Sequence, residues 1–194
     1  MKPGVRALGV AESYHTDDTN TSTLAGVVTR VSRVVDGFVF GTCTVGGTDV
    51  SDAILDLGER LGREDVRYIL VSGIALSWYN IVDMHRISEA LDRPVISVTF
   101  EESDGLDASL ASEFSGEELE QRREIYRRQP ARHEFSVNEQ TVFVRSVGVD
   151  THEARDVVRA FTPDGGRPEP LRVARMAARA GDEWWTVEQT NRGE

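Results

Sequence analysis

Three segments rich in β-branched and aromatic residues, Val5–Tyr14, Thr23–Ser32 and Val34–Val45, follow one another before any helical periodicity begins. Strands joined this closely are predicted to form an antiparallel meander, because a parallel pair needs a long crossover between them. The polar stretch His15–Asn20 is the first connection. Asp36-Gly37 is predicted as a turn or bulge near the second junction, and Gly46-Gly47 ends the pattern.

Helical spacing then appears in Ser51–Leu61, where Ile54, Leu55, Leu57 and Leu61 recur on one face. Val66–Gly73 is a short apolar run of the kind found in central parallel strands. Asn80–Leu91 reads as a helix and Pro94–Phe100 as another buried strand, which together make a right-handed βαβ unit. Beyond an acidic loop at 101–105, Ser115 and Glu118 fit a capping box that opens a charged helix to about Arg128, ended by Pro130. Glu134–Asn138 and Thr141–Val147 read as a hairpin around Glu139-Gln140. Asp150–Phe161 is a helix capped by Asp150, and Leu171–Ala180 is the last one. The expected fold class is α/β, with a mixed sheet of three antiparallel strands followed by parallel strands and helices on both faces. That order matches the ribonuclease-H-like plan, although many α+β and α/β folds share such pieces. One domain is expected over residues 1–185, with 186–194 as a flexible tail.

Charge narrows the setting more than the partner. The net charge is −11, and Lys2 is the only lysine beside 21 arginines. An acidic surface with almost no lysine points to an organism with high internal salt, where such a surface maintains solubility. High salt also screens long-range attraction to phosphate, so an acidic balance does not argue against nucleic acid. No stretch approaches the roughly 18 apolar residues of a membrane helix, and the start of the chain has no apolar signal core. A cytoplasmic location with no membrane partner is therefore expected. The single Cys43 lies in an apolar run, which suits a packed thiol and excludes an internal disulfide; no disulfide-linked partner is expected.

Five segments in order resemble one family. They are Gly4–Ser13, Val35–Gly41, Gly73 with Tyr79-Asn-Ile-Val-Asp83, Arg93–Ser97, and Glu169-Pro-Leu-Arg172. Over about residues 4–180 the chain resembles the archaeal endonuclease V-like family, known also as domain of unknown function 99 and as endonuclease dU-like. The resemblance implies a ribonuclease-H-like fold and a metal-dependent DNA repair endonuclease acting at deaminated bases, deoxyuridine or deoxyinosine. It implies Mg2+ or Mn2+ on two or more carboxylates, activating water and neutralising charge on the scissile phosphate.

The chain departs from that pattern at the acids. The family's first strand reads Gly-Ile-Asp-Asp-Ser where this one has Gly9-Val10-Ala11-Glu12-Ser13. Leu-Asp-Gly at the end of the fourth strand becomes Val71-Ser72-Gly73, and Val-Asp-Gly after the third becomes Val45-Gly46-Gly47. Ala11, Ser72 and Gly46 thus stand where metal-binding acids are expected, and none of them ligates a divalent cation well. Glu12 is the remaining site carboxylate, expected as catalytic group or metal ligand. Asp104 is a second ligand in a regrouped site, His15 a group able to reach the cleft, and Asp17 and Asp18 further loop acids. Trp78 and Tyr79 are candidates for stacking on a base, with Asn80 beside them. Arg172 and Arg175, with Arg179, fall at near-helical spacing and could hold a phosphate backbone of DNA or RNA. Arg122, Arg123, Arg127, Arg128 and Arg132 form a second group that could do the same, but intervening glutamates favour reading it as paired with them.

Two readings remain open on these residues: a metal-dependent endonuclease rebuilt around Glu12, or a catalytically inactive relative, needing no metal, that binds nucleic acid or a protein partner. A small-molecule-binding α/β domain has only fold analogy behind it.

Overall fold

The computed structural model describes residues 1–13 and 20–192, with side chains to 188. Strands β1 (Arg6–Glu12), β2 (Thr21–Arg30) and β3 (Val35–Thr44) form the expected meander. The turn between β2 and β3 lies at residues 31–34, where Arg33 has φ 70°, and the expected bulge falls at Asp36, the residue skipped between the Val28–Gly37 and Thr29–Val35 pairs. Asp36 accepts from Arg6 and Arg30, each at 2.6 Å, which clamps the start of β3 to β1 and β2.

Helix α1 (Val50–Leu61), strand β4 (Val66–Val71), a small hairpin of β5 (Ala75–Leu76) and β6 (Asn80–Ile81), helix α2 (Met84–Leu91) and strand β7 (Val95–Thr99) follow. Asn80 thus belongs to a strand. The cap of α2 is Asp83, whose carboxylate accepts from the Arg86 N–H at 3.1 Å. Helix α3 (Asp107–Glu113), which the sequence reading missed, precedes α4 (Gly116–Arg128). Ser115 sits at the N-cap of α4 without a side-chain cap bond, so the expected capping box does not close. Strands β8 (His133–Val137) and β9 (Gln140–Val147) meet at a tight turn through Asn138-Glu139, both at positive φ. Helix α5 (Thr151–Phe161) carries the predicted Asp150 cap on the Glu153 N–H at 2.8 Å. Helix α6 (Glu169–Arg192) runs beyond the predicted Ala180.

Seven strands pair in the order β3-β2-β1-β4-β7-β9-β8. The parallel pairs are β1–β4 and β4–β7, so three neighbouring strands end on the same side at the middle of the sheet. Alternation along β1 sends Leu8 and Val10 into a core shared with Ile54, Leu57, Met84 and Ile87 of α1 and α2. Ala7 joins the opposite core with α5, and Ala11 packs on Val27 and Ala174 of α6. Gly9 is what lets α6 approach: a Cβ there would lie 2.4 Å from the backbone of Pro170. Among the described residues, no helix is long and apolar enough to cross a membrane.

Candidate nucleic-acid interface

Beyond the ends of β4 and β7, Ser72-Gly73 and the segment from Phe100 to Leu106 open a cleft of about 520 Å³. Residues far apart in sequence meet there. Arg132, Arg145, Arg167 and Arg175 line it, together with Ser97, Thr99 and the exposed Asp104. Arg132 lies 4.0 Å from the Phe143 ring centroid and donates to Thr99 Oγ1 at 2.9 Å and to the carbonyls of Glu101 and Ser103. Arg145 donates to the Pro130 carbonyl. These two side chains are held in place by backbone acceptors.

The other two differ. Arg167 lies 4.4 Å from the Phe100 centroid, and Arg175 projects from α6 into the same cleft. Burial lowers the Arg167 pKa, and the nearby positive charges of Arg175 and Arg179 lower it further. Among the described residues neither Arg167 nor Arg175 forms a salt bridge, although Arg175 lies near enough to Glu12 for its charge to act on that carboxyl. In a chain of net charge −11, four guanidiniums gathered in one cleft, with Glu101 and Asp104 among its lining, form a candidate site for a polyanion. Arg172 does not join it. Its guanidinium donates to both oxygens of Glu169, at 2.7 and 2.8 Å. Arg167, Arg132 and Arg145 were not picked out by sequence as phosphate contacts.

A second feature lies at the end of β1. Ser77, Trp78 and Tyr79 join β5 to β6 with φ of 42°, 60° and 57°. Three successive non-glycine residues in the left-handed region cost about 1–2 kcal/mol each, so the surroundings must hold them there. Ser77 is fully buried, and its N–H donates to Glu12 Oε2 at 2.7 Å while its hydroxyl donates to the same oxygen. Its carbonyl accepts from the Gly46 N–H at 2.7 Å. Tyr79 stacks edge-on against Phe114 and Trp78. Arg122, buried and lying 3.8 Å from the Phe114 centroid, donates to the carbonyls of Gly46 and Gly47; it thus braces this turn instead of pairing with the glutamates of its helix. Trp78 keeps 42% of its surface exposed. Asn80 faces inward: it is fully buried, accepts from the Val50 N–H at 3.1 Å, and donates to Asp49 at 2.7 Å and the Thr44 carbonyl at 3.0 Å. It ties α1 to the strand before it, which leaves no donor or acceptor for a substrate.

Among the described residues, those expected to hold a divalent cation are engaged in other contacts. Ala11 is packed against α6 on one face of the sheet, and the neighbouring Glu12 faces the other. Gly46 gives its carbonyl to Arg122, and Ser72 lines the arginine cleft. Asp104 lines that cleft, whereas Glu12 does not. One oxygen of Glu12 already accepts three hydrogen bonds, from Ser77 N–H, Ser77 Oγ and Ser22 Oγ. Burial pushes its carboxyl above the usual range against the pull of those bonds. No group of three or more His, Cys, Asp or Glu side chains able to hold a metal occurs among the described residues. His15, Asp17 and Asp18 lie outside them. The described donor set does not fit Mg2+ or Mn2+.

Residues 3–181 match a family model described as endonuclease dU. A Methanopyrus kandleri UPF0215 protein is 32% identical over 92% of this chain and 91% of its own. A crystal structure of a protein of unknown function from Archaeoglobus fulgidus superposes with a TM-score of 0.79 and 27% identity, covering 90% of this chain and 96% of that one. Endonuclease V from Ciona intestinalis, solved with a 23mer DNA containing an inosine, has a TM-score of 0.62 at 10% identity, over 91% and 85% of the two chains. The shared architecture is the ribonuclease-H-like fold of endonuclease V.

Proposed function

The chain belongs to the endonuclease dU family, and from that premise we propose that it binds a DNA or RNA strand along the arginine-lined cleft and recognises a deaminated base, uracil or hypoxanthine, by stacking on Trp78. The observation that carries this reading is the gathering of Arg132, Arg145, Arg167 and Arg175 in one cleft of a strongly acidic chain. Guanidiniums make bidentate contacts to phosphate, and an exposed indole offers a stacking platform to any unpaired base. The inosine-containing DNA bound by the Ciona relative supports the choice of ligand class. In this reading the protein is a relative that binds without the divalent-metal cleavage associated with the family, because Ala11, Gly46 and Ser72 supply no ligands.

A second reading keeps the chemistry: an Mg2+- or Mn2+-dependent repair endonuclease at deoxyuridine or deoxyinosine. It is favoured by the place of Glu12 at the end of β1 and by the family name. Both are tested with labelled single-stranded and duplex DNA and RNA carrying uracil or hypoxanthine, in molar KCl with either metal. Retained binding without nicking is the expected result. Metal-dependent nicking that a Glu12→Gln variant abolishes would establish the second reading, and absence of binding to every probe would refute the first.

A further inference from the structure

The Glu12 carboxylate at the end of β1 reaches across to a residue 65 positions away and takes both the N–H and the hydroxyl of Ser77 on one oxygen. Ser22 Oγ adds a third donor at 3.3 Å. The turn it grips contains no glycine, although all three of its residues have positive φ. Strained backbone persists only where its surroundings over-determine it, and it gathers at sites of recognition. Of the three, Ser77 is fully buried and Tyr79 leans on Phe114, while Trp78, edge-on to Tyr79, is 42% exposed.

We propose that Glu12 is a positioning residue whose carboxylate holds the Ser77–Trp78–Tyr79 turn in its left-handed form, and thereby presents the Trp78 indole to an unpaired base. The base-binding part rests on the function proposed above; the latch itself does not. The role needs an acceptor oxygen at Glu12 and no metal. This separates it from a ligand role, which needs the negative charge.

The test compares Glu12→Gln, which keeps an amide oxygen, with Glu12→Ala, which keeps nothing. Both are made in a chain carrying Trp184→Phe and Trp185→Phe, so that Trp78 is the sole indole emitter. Two quantities are read without added metal: acrylamide quenching of Trp78 in the free protein, and the preference for an oligonucleotide with one unpaired uracil over the fully paired one. Circular dichroism confirms that each variant is folded. The expected result is unchanged quenching and preference in Glu12→Gln. In Glu12→Ala the quenching shifts and preference falls roughly tenfold, the worth of one base–aromatic stack. Unchanged quenching in folded Glu12→Ala would overturn the latch, as would equal loss in both variants. A Glu12→Gln protein that fails to fold would do the same, since it would tie the site to the charge. If the parent chain binds no oligonucleotide, the function proposed above fails, while the quenching comparison still decides the latch.

Discussion

Replacing Arg167 and Arg175 together with glutamine should flatten the salt dependence of nucleic-acid binding by a calculable amount. Both guanidiniums line the cleft and form no salt bridge among the described residues, whereas Arg132 and Arg145 already spend donors on backbone carbonyls. If Arg167 and Arg175 each neutralise one phosphate of a single strand, each contributes about 0.7 to the slope of log affinity against log salt. Removing both lowers the slope by about 1.4. Over a fourfold dilution of KCl within the molar range, wild-type affinity should then rise about sevenfold more than that of the double variant. Fluorescence anisotropy of a labelled uracil-containing oligonucleotide reads this directly. Arg172→Gln is the internal control: its guanidinium is held by Glu169, so its slope should equal that of wild type. Parallel lines for wild type and the double variant would refute the assignment of the cleft, and so would an equal flattening by Arg172→Gln.

Three further outcomes follow from the packing. Gly9→Ala drives a methyl to within 2.4 Å of the Pro170 backbone, and chemical denaturation in molar KCl should show a loss of about 2–3 kcal/mol, the cost of overpacking where a backbone cannot yield. Asn80→Ala deletes three buried hydrogen bonds; the same assay should show a loss of about 3 kcal/mol from the orphaned partners, while an effect near zero would mean that the network is dispensable. For Glu12 the native carboxyl pKa is raised by burial, so the folded state holds the proton more tightly than the unfolded chain does. Its contribution to stability is full below the ordinary carboxylate value and declines as pH rises through the raised one. Stability measured against pH should therefore fall less over that interval in Glu12→Gln than in wild type, and identical curves would contradict the burial argument.

The order of elements was readable because each strand of the central sheet is a compact apolar or β-branched run and each core helix carries a clean stripe. Helix α6 outran its predicted end because Trp184, Trp185 and Val187 are exposed and give no stripe to follow. The Ser77–Tyr79 turn was invisible for a physical reason: positive φ is signalled in sequence by glycine or asparagine, and here it is imposed by a carboxylate 65 residues earlier. Asn80 looked like a substrate contact because it stands beside two aromatics; burial assigns it to the frame. Among the arginines, Arg175 was separable from Arg172 in sequence. Glu169 stands three residues before Arg172, whereas no acid lies three or four residues from Arg175. Arg132, Arg145 and Arg167 share nothing local and meet only because antiparallel β9 flanks β7.

The grip of Glu12 on Ser77 also fixes when this part of the molecule can form during folding. A backbone that is unfavourable by itself cannot act as a nucleus, and its stabilising partners arrive only after β1 has docked beside β4, closing a long loop. The turn therefore condenses after the sheet. Substitutions at Trp78 should accelerate unfolding and leave the refolding rate almost untouched, which makes this turn the last piece to assemble and the first to open.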